Sequence, residues 1–459
     1  MRLENGGEAK PTGLVISTAV PFAPGAVRDV AEIGLDAPGE VEPLETHRDG
    51  SVRWARVRVR PVWKGLRATF VELRRGGKRP ELPTEAFGEP PPLSLVLEGQ
   101  DGVERRAEIA PAQWRSIERS ELREVLRASA RHIATKATGG TALPPALFAC
   151  ELFLERFRGA PFVFATVVLR NDPPSDPVGA MRFRSYRLEV PAPWKTAVAW
   201  PQQNGVAIEA HSSGASVTWL LPRETADLWL GDGQTKAWRC LLDPSGDEAR
   251  FRSLARVLEH PFLPGLKPAE LVRSRAWGDL GDVVLGPPPE AASSLAQAEF
   301  ARVHGTAGRP GEREYGWASA WGDVKDTHQT GSPRNGLCSD GVVRTLQTGF
   351  REWFDLAYER ATQQALRPIL RGLRAADHPQ AMLYEGMPHP SWPDRLGRER
   401  DPDPNLGRFR EGTAGGWLQE THGWNGFDEQ HFTVDDLYAI HLLTGDPWVR
   451  FELESIGQA

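Results

Sequence analysis

Apolar residues in this chain keep one period up to about residue 300 and a different one after it. In the first stretch they form short runs separated by Pro, Gly and Asn-Asp clusters, which is the pattern of strands and turns. Within Ser51–Arg60, which follows the turn signal Asp49-Gly50, Val57 and Val59 alternate with Arg, whereas Val52 and Trp54 are out of phase with them. That slip predicts a bulge near Ala55. The apolar run Gly13–Ile16 leads to the turn cluster Pro21–Gly25, and Pro90-Pro91-Pro92 precedes a strand at Leu93–Leu97. Phe162–Leu169 has the length of a buried strand and stops at Asn171-Asp172-Pro173-Pro174. Arg182–Val190, Val206–Glu209, Val217–Leu221 and Lys236–Leu242 continue the series at the spacing of a sandwich. Only Glu118–Ala130 carries helical patterning in this part.

After residue 311 the period becomes helical. Asp340 caps a helix in which Val343, Leu346, Phe350, Trp353, Phe354, Ala357 and Ala361 recur at three- and four-residue steps, as far as about Pro368. A second helix begins at Thr433, with Asp435 and Asp436 in its first turn, and carries Leu437, Tyr438, Ile440 and Leu442. Gly445 ends it, and Asp446-Pro447 supplies the cap and first residue of a third. A chain of 459 residues is about three typical domains long. The expected architecture is a multidomain β + α protein. It has an N-terminal β-barrel-like domain at 12–110, a central β-sandwich at 111–300 and a C-terminal helical domain at 311–459. Gly286-Pro287-Pro288-Pro289 and Gly305–Gly311 mark the linker before the last of these.

Composition excludes several classes of function. A net charge of -6 and a pI near 6.1 are those of no polycationic nucleic-acid binder. No window approaches 18 apolar residues, so no membrane span is expected. The three cysteines, Cys150, Cys240 and Cys338, are far apart and form no C-x-x-C pair, which leaves neither a disulfide framework nor a zinc knuckle. The start, Met1-Arg2-Leu3-Glu4-Asn5-Gly6-Gly7, lacks an apolar leader, so the chain as written reads as cytoplasmic, with secretion left open for a longer N-terminus. No Walker A sequence, no strand-borne G-x-G-x-x-G and no G-x-S-x-G elbow is present.

Chemistry-bearing residues gather late. Seven of eleven His, seven of 16 Trp and four of five Tyr follow residue 300. They concentrate in three loops of low hydrophobicity: Tyr315–His328, Tyr384–His389 and His422–His431. Aromatics beside ionisable groups on loops suit a binding or catalytic site. The bland alternative is that Trp317, Trp321 and Trp424 pack the loops and the His face water. Asp323, Asp326 and His328 offer oxygen and nitrogen donors, but not in an EF-hand register. No cofactor is therefore expected, and a structural Ca²⁺ stays open. Glu385, Glu420, Asp428 and Glu429 could furnish the carboxylate pair of a glycoside hydrolase.

Val20-Pro21-Phe22-Ala23-Pro24-Gly25, followed by Asp49-Gly50-Ser51-Val52-Arg53-Trp54, resembles the N-terminal β domain of exo-acting rhamnogalacturonan lyase-like proteins. Tyr315-Gly316-Trp317 through Trp321-Gly322-Asp323 resembles the segment where that family's β-sandwich meets its α/α toroid. Phe427–Phe432 and Leu442-Leu443-Thr444-Gly445-Asp446-Pro447 resemble the first toroid hairpins. The resemblance implies a C-terminal α/α toroid, here incomplete. About six hairpins need roughly 300 residues, whereas some 120 follow residue 340. It also implies β-elimination at a uronic acid, with an oligo- or polysaccharide as partner. For that reaction, residue type nominates His422 or His431 as base, Tyr384 as acid and Arg334 to neutralise the carboxylate. Asn425 and His328 would position the sugar, and Trp321 and Trp424, with Tyr315 beside them in sequence, would contact its faces. A glycan-binding protein without turnover and a glycoside hydrolase remain the other two readings.

Overall fold

The computed structural model describes residues 2–4, 10–63, 68–135, 146–170, 181–200, 210–212, 215–221, 229–230, 235–259, 268–277, 340–348, 353–354, 357–358, 361 and 435–458. The N-terminal part contains β1 (Arg2–Glu4), β2 (Ile16–Pro21), β3 (Ile33–Leu35), β4 (Gly39–Thr46), β5 (Val52–Val59), β6 (Ala68–Phe70) and β7 (Leu73–Arg75). They form a three-stranded sheet in the order β2-β5-β4 and two pairs, β1-β6 and β3-β7. The expected N-terminal barrel is thus three small antiparallel sheets among the described residues. The slip anticipated near Ala55 is present as two register shifts against β4: Leu44 is the extra residue between the pairs Pro43–Ala55 and Glu45–Trp54, and Arg53 of β5 is the extra one between Glu45–Trp54 and Thr46–Val52.

Twelve strands join one large sheet. They are β8 (Leu93–Gly99), β9 (Glu104–Ile109), β10 (Arg115–Arg119), β11 (Arg123–Ala134), β12 (Ala146–Phe157), β13 (Val163–Arg170), β14 (Met181–Pro191), β15 (Lys195–Trp200), β16 (Ala210–Ser212), β17 (Ala215–Leu221), β18 (Trp229–Leu230) and β19 (Thr235–Asp243). Their order is β15-β19-β13-β12-β11-β9-β8-β14-β17-β16, with β10 on β11 and β18 on β14. The hydroxyls of Thr196 on β15 and Thr218 on β17 hydrogen-bond, so the two ends approach and the sheet nearly closes. The long runs at 162–169, 182–190 and 236–242 are strands as the alternation predicts, while Val206–Glu209 lies outside the described residues.

Glu118–Ala130 is not helical: it spans β10 and β11. Arg123, Val125 and Arg127 share one face of β11 and lie opposite Phe157, Glu155 and Phe153 of β12. The other face presents Leu126, Ala128 and, from neighbouring strands, Cys150, Leu152, Val167, Tyr186 and Trp238 to the main core. Burying such side chains contributes about 1.5–3 kcal/mol each.

Among the described residues five α-helices follow: α1 (Glu248–Glu259), α2 (Pro268–Ser274), α3 (Asp340–Thr348), α4 (Asp435–Thr444) and α5 (Pro447–Gln458). The α1 and α2 helices lie in the stretch read as mostly β. Phe251, Leu254 and Leu258 of α1 close a second core with Leu14, Val57 and Phe164, whereas Leu271 of α2 joins the main core. After residue 340 the described helices include one hairpin, α4–α5, and form no α/α toroid. Leu437, Ile440, Leu443, Trp448 and Val449 belong to the same core as the large sheet and Val342 of α3, so the hairpin buries its apolar face there.

Candidate functional site

The α4–α5 turn is built by local chemistry. Gly445 takes a φ of 66°, a conformation that glycine adopts without penalty, and donates its N–H to His441 O at 2.8 Å. The Asp446 carboxylate then caps α5, accepting from the N–H groups of Trp448 (2.9 Å) and Val449 (3.1 Å). Distant strands seat this turn. Thr18 Oγ1 donates to Leu443 O at 2.9 Å. Arg56 donates to Leu442 O and His441 O, each at 3.1 Å, and Arg123 donates to Gly445 O at 3.2 and 3.1 Å. Carbonyls left over at the end of α4 thus receive donors, two of them cationic, where the helix dipole favours positive charge.

An ionic layer lies beneath. Arg239 pairs with Asp446 at 2.6 Å, and Tyr358 donates its hydroxyl to the same carboxylate oxygen. Arg123 pairs with Glu155 at 2.7 Å and with Glu118 at 3.4 Å; Glu118 also takes Arg58 at 2.9 Å. Burial raises the Glu155 carboxyl above its ordinary range even against Arg123. Burial acts the same way on Glu118, but Arg123 and Arg58 outweigh it and hold that carboxyl low. His441, half-buried and flanked by Arg56 and Arg450, is pushed down to about 4, burial being the largest cause.

A cavity of about 80 Å³ borders this layer, with Arg123, Glu155, Arg239 and Asp446 among its lining. It has room for about two or three waters and none for a sugar ring. Glu155, protonated more readily than usual, beside Asp446 resembles an acid–base pair in charge alone. Asp446 already accepts from Trp448, Val449, Arg239 and Tyr358, which fills the roughly four acceptor sites of a carboxylate. The layer therefore clamps the hairpin onto the sheets rather than turning over a substrate. Among the described residues no group of three or more His, Cys, Asp or Glu could hold a metal ion.

The residues singled out from the sequence, Tyr315, Trp321, His328, Arg334, Tyr384, His422, Trp424, Asn425 and His431, all lie outside the described residues, as do Asp323 and Asp326. Arg123, Glu155, Arg239 and Tyr358 escaped sequence reasoning. The available signal was charge at a four-residue spacing, at Arg123 and Arg127 and at Glu151 and Glu155.

No protein-family model and no curated protein matches the chain, so the resemblance to rhamnogalacturonan lyase-like proteins rests on its motifs. Among solved structures it is similar to an alpha-mannosidase from Enterococcus faecalis V583, at 12% identity and a TM-score of 0.33, over 57% of this chain and 45% of that one. It is also similar to a glycosyl hydrolase family 38 protein from Enterococcus faecalis, at 10% identity and a TM-score of 0.30, over 57% of this chain and 46% of that one. The chain thus matches less than half the length of either structure. Likenesses this distant decide no activity. No helix among the described residues is long and apolar enough to cross a membrane.

Proposed function

We propose that the protein is carbohydrate-active, engaging an oligosaccharide through the aromatic and ionisable residues of segments 315–328, 384–389 and 422–431, with glycoside hydrolysis ahead of β-elimination. The observation that carries this reading is the make-up of 420–431 in front of a clamped helix. Glu420, His422, Trp424, Asn425, Asp428, Glu429 and His431 fall within twelve residues that lead in sequence to α4. Tryptophan offers a flat apolar face with a polar edge. Carboxylates and amides supply the hydrogen bonds that orient a polyhydroxylated ligand.

Hydrolysis needs two carboxyl groups across the glycosidic bond, one giving a proton to the leaving oxygen and one acting as nucleophile or as base to water. Glu420, Asp428 and Glu429 offer that pair within one segment, with Glu385 as a further candidate. Elimination instead draws its parts from three segments: Arg334 for the carboxylate, His422 or His431 as base at C5, and Tyr384 as acid. It is the second reading, kept for the motifs around Asp49–Trp54 and Phe427–Pro447.

The experiment is a chromatographic assay on neutral and uronate-containing oligosaccharides, read for new reducing ends and for ultraviolet absorbance of an unsaturated product. Reducing ends without absorbance, lost in Glu420→Gln, Asp428→Asn or Glu429→Gln, are the outcome expected. An absorbing product lost in His422→Ala or His431→Ala would replace hydrolysis by elimination. Saturable binding weakened by Trp424→Ala, without product, would leave a binding protein. Neither turnover nor binding sinks the carbohydrate reading.

A further inference from the structure

The cavity beside the clamp is partly open and has two unlike walls. Arg123, Glu155, Arg239 and Asp446 make one of them charged. The other is apolar: Phe157 and Phe164, whose rings meet edge to face at 5.6 Å, lie there with Val257 and Leu258 of α1. The charged wall has donors to spare. Of its five N–H groups, the Arg239 guanidinium uses only Nη2 for a hydrogen bond among the described residues, to Asp446. The Arg123 side chain is 2% exposed, and its Nε is buried without a hydrogen-bond partner. Ser17, another lining residue, has a buried Oγ in the same condition. Cations also outnumber anions at this end of the layer. Arg58 is answered by Glu42 at 2.8 Å, Glu118 at 2.9 Å and Glu40 at 3.9 Å. Among the described residues, Arg56, Arg123 and Arg239 are then left with Glu155 and Asp446, and with Glu118 as a partner shared with Arg58. Arg56 gives its hydrogen bonds to Leu442 O and to His441, and burial with the neighbouring Arg58 and Arg123 pushes it down to about 9. Glu155 answers these cations poorly, because burial favours its protonated form.

We propose that this cavity binds a small monocarboxylate, of the size of acetate or propionate, with its carboxylate between Arg239 and Glu155 and its alkyl end against Phe157, Phe164 and Leu258. The site is independent of the carbohydrate reading. An anion supplies the charge that the guanidiniums lack, whereas an ammonium adds to them and an alcohol leaves them unanswered. The apolar wall favours an alkyl end over an inorganic anion. A volume of about 80 Å³ takes roughly four or five heavy atoms. In that place Glu155 keeps its proton and donates it to the guest, so two carboxyl groups share one proton. Glu155 is faced by Arg123 on β11, Glu118 on β10, Arg239 on β19, Asp446 at the hairpin turn and Tyr358. The other elements around the cavity, β2 and α1, bring Ser17, Val257 and Leu258, which carry no charge. Binding therefore weakens as pH rises and Glu155 ionises. Thr444, Gly445 and Asp446 also line the cavity, so an occupied site holds the hairpin turn more firmly on the sheets.

The test uses the full chain with sodium acetate and sodium propionate, against sodium chloride and methylammonium chloride at equal ionic strength. Binding is read at pH 5.5 and 8 by saturation transfer from the protein to the ligand's alkyl protons and by the thermal midpoint. Acetate and propionate are expected to bind saturably, with a Kd on the order of 1 mM for so few heavy atoms, and to raise the midpoint. Chloride and methylammonium are expected to do neither. Wild-type affinity for acetate is expected to fall at least about tenfold between pH 5.5 and 8. Glu155→Gln donates at either pH, so it is expected to bind acetate equally at both. Val257→Phe fills the cavity from its apolar wall and is expected to fold and lose acetate. Val257→Met, a smaller filling with the same expected loss, takes its place if the Phe variant does not fold. No saturable acetate signal, an equal response to chloride, or acetate binding kept in the filled variant overturns the site. Wild-type affinity that is the same at both pH values, or a Glu155→Gln variant that still loses acetate at pH 8, overturns the role of Glu155.

Discussion

Gly445 shows how narrow the hairpin seat is. A Cβ there would come within 2.5 Å of Ser17 Oγ and 2.8 Å of Arg56 Nη1, on a backbone that side chains already disfavour. Gly50 has a similar φ of 78° but open space around it. Gly50→Ala is expected to cost about 1 kcal/mol, the left-handed penalty alone. Gly445→Ala is expected to cost at least about 2 kcal/mol more, because Arg56 must give up its bonds to the α4 carbonyls. Urea midpoints of the two variants measure the difference, and equal costs would mean that the seat is loose. Asp446 separates in the same way into a cap and a charge. Asp446→Asn keeps a good N-cap and loses the Arg239 pair, for about 3–5 kcal/mol; Asp446→Ala loses the cap as well, for about 1 kcal/mol more. A variant pair with the same stability would show that the capping bonds contribute nothing.

At the scale of elements, the large sheet pairs its charged face with the hairpin through contacts of unequal worth. Arg170 meets Glu452 at 2.9 Å with both side chains buried, and Glu452 also accepts from Trp448 Nε1 at 2.9 Å. Arg450 and Glu454 form a pair at 2.8 Å with about half of each side chain exposed. Glu452→Gln is expected to cost about 1.5–3 kcal/mol, the worth of a charged hydrogen bond, since Arg170 keeps Glu151 at 3.2 Å, and Glu454→Gln a few tenths. Chemical unfolding reads both, and a small loss for Glu452→Gln would place water at the interface. These contacts mark the limit of what the sequence discloses. The strands around Val57, Val167 and Trp238 were legible because their apolar runs are bounded by turns, and Gly445-Asp446-Pro447 was legible because its stereochemistry is local. Glu118–Ala130 carries a helical pattern yet forms strands, because Arg123 is buried beneath a hairpin more than 300 residues away, a partner that no local period reveals. The same distance hid the seat of the turn. For the candidate site, the sequence nominates residue types and segments, and those segments lie outside the described residues.

Across the described residues, two histidines couple the large sheet and the hairpin to pH. His132 is enclosed in the main core, with Nδ1 bonded to Phe148 O at 2.8 Å, and burial pushes it down to about 4. His441 reaches about the same value at the hairpin, through burial and the adjacent Arg56 and Arg450. Both are neutral in the folded protein over a range where the unfolded chain, with an ordinary value of 6.5, takes up protons. The unfolded state then binds more protons, so stability is full above pH 6.5, falls as pH drops and levels off below about 4. Each histidine accounts for a loss on the order of 3 kcal/mol across that window. Glu155 acts in the opposite direction. Its raised carboxyl keeps a proton that the unfolded chain releases above pH 4.5, so its contribution is lost as pH rises, which shallows the slope. Glu118, held low, adds a loss at still lower pH. If hairpin and large sheet unfold as one unit, His441→Gln and His132→Gln should each flatten the same single transition, followed by urea unfolding at pH 4.5 and 7. A second transition that responds to His441→Gln but not to His132→Gln would instead show the hairpin leaving the sheet first, with the clamp as the weaker of the two structures.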